Sequence, residues 1–182
     1  VSQHELREKL GYVPQKAVLF SGDIASNILY GNPDGSEAEM TEAATIAQAT
    51  EFIEQKKKKY KSTISQGGSN VSGGQKQRLS IARAIAKHPD IYIFDDSFSA
   101  LDYKTDATLR AKLKEKTSES TVMIVAQRIS TILHADQIIV LDDGQIVGKG
   151  THKELLKNCE AYYQIASSQL SEKELEEDLK EV

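Results

Sequence analysis

The fold is set by the sequence IYIFDD at residues 91–96, where four apolar residues lead directly into Asp95 and Asp96. An unbroken apolar run of this length predicts a strand that is buried on both faces of a parallel sheet. In open α/β sheets, ligands bind at the carboxyl ends of the strands, which is where the two acids lie. Paired carboxylates are costly to bury unless a cation or hydrogen bonds neutralise them, and Mg²⁺ on a nucleotide phosphate would do so. The alternative is a strand that simply leaves the core into a polar loop.

Apolar runs alternate with helical patterns along the rest of the chain. One strand is predicted to end at Tyr12 and Val13. Others are predicted at 121–125, which we also expect to be buried on both faces, and at 137–141 and 145–147, which a turn at 142–144 joins. Helices are predicted at 36–48, with Ser36 as its cap, and at 73–87, which Pro89 ends. This alternation predicts an α/β domain with a mostly parallel sheet.

The second informative sequence is VSGGQKQR at residues 71–78, which opens the predicted helix at 73–87. Gly73 and Gly74 have no side chains, so the backbone N–H groups at the positive end of the helix can approach an anion closely. Ser72 adds a hydroxyl and Gln75 adds an amide. The alternative is a capped helix whose glycines only form a turn.

Composition and charge exclude several classes of protein. The chain has 182 residues, 39% of them hydrophobic, and a formal net charge of -4, which fits a folded domain and neither a disordered nor a membrane chain. Residues 171–182 hold six acids and two bases, which leaves 21 of each elsewhere. The body is therefore neutral, and we expect no nucleic-acid partner. The acidic tail, with Leu175 and Leu179, is predicted to be a marginal exposed helix.

Five short motifs occur in an order that resembles the nucleotide-binding domain of an ATP-binding-cassette (ABC) transporter of the exporter branch. They are VPQ at 13–15, like the Q-loop; VSGGQ at 71–75, like the signature; IYIFDD at 91–96, like Walker B; SALD at 99–102, like the D-loop; and VAQR at 125–128, like the switch region. Residues 18–31 (VLFSGDIASNILYG) resemble the exporter segment that lies against the coupling helices of the transmembrane domain.

The resemblance implies a P-loop NTPase-like α/β fold with a helical signature subdomain, truncated at its N-terminus. It divides the chain into a Q-loop strand and exporter segment at 1–35, the helical signature subdomain at 36–88, the Walker B, D-loop and switch core at 89–158, and C-terminal helices with the acidic tail at 159–182. It also implies ATP and Mg²⁺ as ligands. The partners would be a second nucleotide-binding domain, in a head-to-tail dimer, and a transmembrane domain.

The resemblance also assigns roles to single residues. Asp95 would hold Mg²⁺, and Gln15 would approach the metal and the attacking water, although Gln15 otherwise reads as a turn residue. Asp102 would lie at the dimer seam, a role compatible with capping the following helix. The signature residues would contact the γ-phosphate of a nucleotide held by the partner: Ser72, Gly73, Gly74 and Gln75.

Two departures from the family pattern affect catalysis. The residue after the Walker B aspartate is normally glutamate, whereas here it is Asp96, whose carboxylate is about 1 Å shorter in reach, enough to cost on the order of 100-fold in rate. The switch residue is normally histidine, whereas here it is Gln127, which can donate a hydrogen bond but cannot carry a proton. Unless both are tolerated exchanges, they predict a weakened site. The signature is intact apart from Val71, where leucine is usual, and a weakened site beside a competent signature resembles one half of a heterodimeric exporter.

The chain also lacks the phosphate loop G-x-x-x-x-G-K-S/T. The sequence GQIVGK at 144–149 has the wrong spacing and falls in a predicted hairpin. Since the chain starts at Val1 rather than at a methionine, we expect this loop upstream, with its strand missing between those at 121–125 and 137–141. The 182 residues alone should therefore bind ATP poorly.

Together these features predict a translocating ATPase domain at the cytoplasmic face of the plasma membrane, attached through a transmembrane domain that the chain does not contain. Two alternatives are a cassette ATPase without a transport role and a catalytically silent nucleotide clamp. The single cysteine, Cys159, fits a reducing compartment and packing rather than catalysis. The lysines at 56–59 read as solvated surface rather than as a binding patch.

Overall fold

The computed structural model describes residues 1–180, which form two units divided in sequence between Val125 and Ala126. The strands of the first unit are β1 Leu10–Val13, β2 Gly22–Asp23, β3 Thr63–Ile64, β4 Ile91–Asp95 and β5 Thr121–Val125. Its helices are α1 Gln3–Glu8, α2 Ile24–Ile28, α3 Glu37–Ile46, α4 Thr50–Glu54, α5 Gly73–Ala86 and α6 Tyr103–Lys116. Short 3-10 turns lie at Leu29–Gly31, Lys59–Lys61 and Gln66–Gly68. The second unit contains α7 Ile129–Ile132, β6 Ile138–Asp142, β7 Gln145–Gly150, α8 His152–Asn158, α9 Glu160–Ser167 and α10 Glu172–Lys180.

The main sheet of the first unit has β4 at its centre. β1 and β5 flank β4 and run parallel to it, with Val13 opposite Phe94 and Val125 opposite Asp95. The carboxyl ends of the three strands therefore lie together at one edge of the sheet. This arrangement confirms the predicted α/β fold with a parallel sheet. Among the described residues β5 pairs with β4 alone, and β6 and β7 form a separate antiparallel sheet. The strand expected beside β5 stays a prediction.

The expectation that β4 and β5 are buried on both faces is wrong. Tyr92 and Phe94 of β4 are buried, and the half-buried Val122 and Ile124 of β5 pack against the same apolar cluster. The opposite face is only partly covered, because Ile91 and Ile93 of β4 are half-buried and Met123 and Val125 of β5 are 56% and 51% exposed. The apolar runs predicted both strands correctly. Within residues 1–180, however, helices and loops cover one face of the sheet more fully than the other.

Helix α5 forms the centre of the core of the first unit. Its predicted apolar stripe is buried, and the helix packs against α2, α3 and β1. Ser36 caps α3 by the reciprocal pattern of a capping box, in which its hydroxyl accepts from the Glu39 N–H and the Glu39 carboxylate accepts from the Ser36 N–H. The helix that carries the signature sequence is therefore packed among α2, α3 and β1.

Within the described residues, the second unit consists of a β-hairpin and four helices, α7 to α10. β6 and β7 pair antiparallel around Asp143 and Gly144, whose φ angles of 45° and 74° allow the tight turn that the sequence predicted. The expectation of an exposed C-terminal helix is wrong for its apolar side. Leu175 of α10 is only 7% exposed, since it packs with Tyr162 and other residues of α8 and α9, while the glutamates around it face solvent.

None of the helices within residues 1–180 has the length and apolar character needed to cross a membrane. The structure supports two units, whereas the finer four-part division at 1–35, 36–88, 89–158 and 159–182 stays a prediction.

Candidate functional site

The two acids of the Walker B-like sequence lie at the carboxyl edge of the sheet. Asp95 is the last residue of β4, and Asp96 follows it in a left-handed conformation with φ of 43°. For a residue other than glycine this conformation costs about 1 kcal/mol. It is held by two hydrogen bonds, one from the Asp96 N–H to the Val125 carbonyl at 2.9 Å and one from the Ser99 hydroxyl to the Asp96 carbonyl at 3.0 Å. The sharp turn fixes both carboxylates at the end of the strand.

Two side chains from β1 and its following loop reach these acids. The Gln15 amide donates to Oδ2 of Asp96 at 3.2 Å, and the Tyr12 hydroxyl donates to Oδ2 of Asp95 at 3.1 Å. The hydrogen bond to Asp95, with smaller contributions from desolvation and the charge of Asp95, raises the pKa of the Tyr12 phenol. The structure therefore brings Gln15, Asp95 and Asp96 together, as the sequence predicted, and adds Tyr12.

Two buried side chains hold the backbone that presents Gln15. The Ser97 hydroxyl donates to the Val13 carbonyl at 2.9 Å, and the Gln77 amide of α5 donates to the Pro14 carbonyl at 3.2 Å. Ser97 is fully buried and Gln77 is 2% exposed. Sequence reasoning missed both residues, because each contact joins segments more than 60 positions apart in the chain.

The signature sequence forms the start of α5. The Ser72 hydroxyl accepts from the Gln75 N–H at 3.2 Å, and the Gln75 side-chain oxygen accepts from the Ser72 N–H at 3.1 Å. The alternative of a capped helix is therefore correct as a description of local geometry. A Cβ built on Gly73 would meet nothing within 4 Å, whereas one on Gly74 would lie 3.4 Å from the Ala100 carbonyl. The first turn is open at Gly73, as an approaching anion requires, and rests against the D-loop at Gly74.

Asp102, the D-loop acid, caps α6. Its carboxylate accepts from the Thr105 N–H at 3.0 Å, and hydrogen bonds from Thr105 lower the pKa of this carboxyl, with a smaller contribution from the nearby charge of Arg78. The helix-cap interpretation is therefore what the geometry supports directly. The role of Asp102 at a dimer seam stays a prediction.

Gln127, the switch residue, belongs to the second unit. Its side chain is exposed, and its carbonyl accepts from the Gln169 amide at 2.9 Å. The same Gln169 side chain accepts from the Ile129 N–H at 2.9 Å, so it ties both backbone positions to the segment after α9. Gln127 is thus outside the unit that brings Gln15, Asp95 and Asp96 together.

The side chains at the edge of the sheet fit Mg²⁺ only if substrate phosphates and water supply the remaining ligands. Residues 1–180 contain no group of three or more histidine, cysteine, aspartate or glutamate side chains placed to hold a metal ion. Mg²⁺ commonly binds through one or two carboxylates together with substrate phosphates and water. Asp95 and Asp96 at the end of β4 are carboxylates of the type that such a shared site uses.

A family model described as "ABC transporter" matches residues 1–99 of the chain. The chain belongs to the ABC transporter family. This confirms the resemblance drawn from the five motifs, and the predicted fold class is confirmed by a solved relative. That relative, described as a bacterial Atm1-family ABC exporter with ATP bound, superposes with a TM-score of 0.89 at 38% identity, over 94% of this chain and 30% of its own.

The chain is also similar to proteins that are named as ATP-binding proteins of transporters. The chain is 48% identical over 163 residues to an uncharacterized ABC transporter ATP-binding protein of Mycobacterium tuberculosis, which covers 88% of this chain and 28% of the relative. It is 42% identical over 164 residues to a putative multidrug export ATP-binding/permease protein of Staphylococcus aureus, covering 90% of this chain and 28% of that protein. The chain thus spans less than a third of the length of these relatives.

Proposed function

We propose that this ABC domain is the ATP-binding part of an exporter and couples the binding and hydrolysis of ATP to the movement of a substrate across a membrane. The observation that carries the proposal is the hydrogen bond from the Gln15 amide to the Asp96 carboxylate. It joins the Q-loop to the acids at the carboxyl edge of the sheet, where a phosphate-bound metal would be held.

Each residue of the site has a distinct part in this proposal. Asp95 provides the carboxylate for Mg²⁺, which, when bound with ATP, offsets the negative charge of the phosphates. Asp96 accepts a proton from, or orients, the attacking water, and Gln15 fixes the direction of the Asp96 carboxylate. Tyr12 donates to Asp95 and so restricts its rotamer. The phosphate loop is not among the 182 residues, and we propose that the complete ATP site includes one.

We further propose that the signature of this chain serves a site on a second nucleotide-binding domain. The open first turn at Gly73 supports this, because it lies at the positive end of a helix of 14 residues and a Cβ built on Gly73 would meet nothing within 4 Å. Ser72 and Gln75 already satisfy each other through the capping box. The helix start is therefore preorganised for an anion rather than dependent on one for its order.

The exporter segment at residues 18–31 is proposed to contact the transmembrane domain. The Arg83 guanidinium holds this segment on α5, donating to the Asn27 carbonyl at 2.8 Å, to Oδ1 of Asn27 and to the Val18 carbonyl, both at 2.9 Å. Phe20 and Tyr30 stack with ring centroids 4.4 Å apart, yet they are 43% and 59% exposed. A rigidly held, exposed pair of aromatic rings supports a protein contact, and it would place the domain at the cytoplasmic face of the plasma membrane.

We propose that this chain turns over ATP slowly and that a different partner chain performs most of the hydrolysis. Asp96 in place of glutamate leaves the carboxylate about 1 Å short, and Gln127 in place of histidine cannot carry a proton. The signature has no comparable defect. A heterodimer with one weakened and one competent site accounts for this asymmetry.

The test restores both side chains in the full-length protein assembled with its partner, whose own catalytic glutamate is removed so that turnover reports this chain. We expect Asp96→Glu with Gln127→His to raise the rate of ATP hydrolysis by up to about 100-fold. A matched control, Asp90→Glu with Gln164→His, makes the same chemical changes at exposed positions outside the site and should have no effect. No increase in a folded, assembled protein would contradict the proposal.

The same assay separates a slow enzyme from a silent nucleotide clamp. The presence of Asp96 and Gln127 is compatible with both a slow enzyme and a silent clamp. Measurable Mg²⁺-dependent hydrolysis without restoration indicates a slow site, whereas ATP binding with no turnover indicates a clamp.

A further inference from the structure

We infer that Gln77 is a positioning residue, which ties the signature helix to the Q-loop of the same chain and thereby sets the place of the Gln15 amide. The inference deepens the proposed function, on which it rests. Gln77 belongs to α5, two positions after the last residue of the signature, and its amide donates to the Pro14 carbonyl at 3.2 Å. Gln15, the next residue, donates to Asp96.

Burial makes this contact more than a surface hydrogen bond. Gln77 is 2% exposed and Pro14 is half-buried, so the loss of the Gln77 donor would leave the Pro14 carbonyl without this partner in a place that water reaches only in part. The side chain is also neutral, which keeps it inside the fold without the cost of a buried charge. An amide at this position therefore satisfies the end of β1 in a way that an apolar side chain of equal size cannot.

The Q-loop backbone is held at two successive carbonyls. Ser97, which follows the acid pair, donates to the Val13 carbonyl, and Gln77 donates to the Pro14 carbonyl. Pro14 has no N–H of its own, and its ring fixes φ, so this backbone has few ways to shift. The backbone of Val13 and Pro14 is therefore held between Ser97, after β4, and Gln77 of α5, and Gln15 follows it directly in the chain.

This geometry gives Gln77 a defined consequence for function. The signature at the start of α5 would serve the ATP site of the partner, while Gln15 and Asp96 serve the site on this chain. Because Gln77 joins the two through one buried hydrogen bond, a displacement of α5 is transmitted to the Pro14 carbonyl and on to Gln15. Gln77 itself touches neither the nucleotide nor the metal in this account.

The experiment measures the affinity of ATP with Mg²⁺ and in excess chelator, in the full-length protein assembled with its partner. The ratio of the two affinities is the metal-dependent gain. We expect Gln77→Met to lower this gain about fivefold, the effect of one lost hydrogen bond, and to leave the metal-free affinity unchanged. A residue that only stabilised the fold would lower both affinities together. Gln77→Leu provides a second variant without the donor if the first fails to assemble.

A double-mutant cycle tests whether Gln77 acts through Gln15. We expect Gln15→Ala to lower the metal-dependent gain, and Gln77→Met to cause no further loss in that background. Ser80→Ala, at a buried polar position of the same helix, is the matched control and should leave the gain unchanged. Additive losses, or an unchanged gain in Gln77→Met, would overturn the inference. If the unaltered assembly itself shows no Mg²⁺-dependent ATP binding, the proposed function fails instead.

Discussion

The start of α5 and the end of β4 are the two places in the first unit to which we assign a function, and they are built in different ways. At the start of α5, Ser72 and Gln75 satisfy each other across three positions of sequence. At the end of β4, Asp95 and Asp96 are held by Tyr12 and Gln15, which lie more than 80 positions away. The signature can therefore keep its shape when its surroundings change, whereas the acid pair depends on the packing of the sheet.

The largest effect should come from closing the open first turn of the signature. Gly73→Asp places a carboxylate where nothing lies within 4 Å, so we expect the fold to survive, since an acidic residue near a helix N-terminus is favourable. The same charge repels a phosphate, and ATP hydrolysis by the assembled protein should fall on the order of 100-fold. Gly73→Ala is the matched control and should lower the rate far less. Equal losses in both variants would mean that shape rather than charge matters there.

The difference between local and distant support predicts different costs for two serine substitutions. Ser97→Ala removes a fully buried hydroxyl and leaves the Val13 carbonyl unsatisfied, so we expect a loss of about 1–3 kcal/mol in the free energy of unfolding. Ser72→Ala removes an exposed helix cap and should cost about 1 kcal/mol. Urea titrations of the two variants against the parent chain measure both values. The comparison is broken if the exposed cap costs more than the buried hydroxyl.

The second unit extends the comparison to another distant contact. The His152 ring bonds to the Tyr162 hydroxyl at 2.7 Å and to the Asp178 carboxylate of α10 at 3.1 Å. Desolvation, with a smaller contribution from Asp178, raises the pKa of Tyr162 to about 12. Since the unfolded chain loses this proton near pH 10, the folded form binds the proton more tightly, and stability falls as the pH rises from about 10 to about 12.

Circular dichroism of urea unfolding at several alkaline pH values checks this expectation. Tyr162→Phe should remove its part of the alkaline loss, while Tyr163→Phe, at an exposed neighbouring position, should leave the loss as it is. An identical pH profile in the parent and in Tyr162→Phe would contradict the assignment.

The smallest effect concerns the cap of α6. The folded-state pKa of Asp102 lies below its ordinary value because of the hydrogen bonds from Thr105, so its contribution to stability is present above that ordinary value and is lost as the pH falls through the folded pKa. Asp102→Asn keeps the cap without the titration. Acid unfolding of this variant should start at a slightly lower pH than that of the parent. If the variant unfolds at a higher pH, the Asp102 carboxylate has a role beyond capping.

The start of α5 and the end of β4 also show which contacts could be predicted from the sequence and which could not. The capping box at Ser72 and the cap at Asp102 are written in neighbouring residues, so their geometry follows from local rules. Tyr12 faces Asp95 only because β1 pairs with β4 in a register that sets Tyr12 opposite Ile93, two positions before Asp95. Gln77 and Ser97 likewise meet the Q-loop only through contacts between segments that are far apart in the sequence. Residues of the family motifs were therefore found, and the side chains that hold them in place were not.

The predictions that β5 is buried on both faces and that the C-terminal helix is exposed were wrong for the same reason. An apolar residue in sequence shows that burial is favourable but not which partner provides it. Met123 and Val125 have no cover among residues 1–180, whereas Leu175 finds one in α8 and α9.

A structure of the full-length assembly with Mg²⁺ and ATP would show whether the start of α5 and the end of β4 serve two different nucleotides. We predict a γ-phosphate held by the partner chain within hydrogen-bond distance, about 3 Å, of the backbone N–H of Gly73, and Asp95 and Gln15 beside the metal of the nucleotide on this chain. Nucleotides bound away from both the start of α5 and the end of β4 would show that neither element belongs to an ATP site.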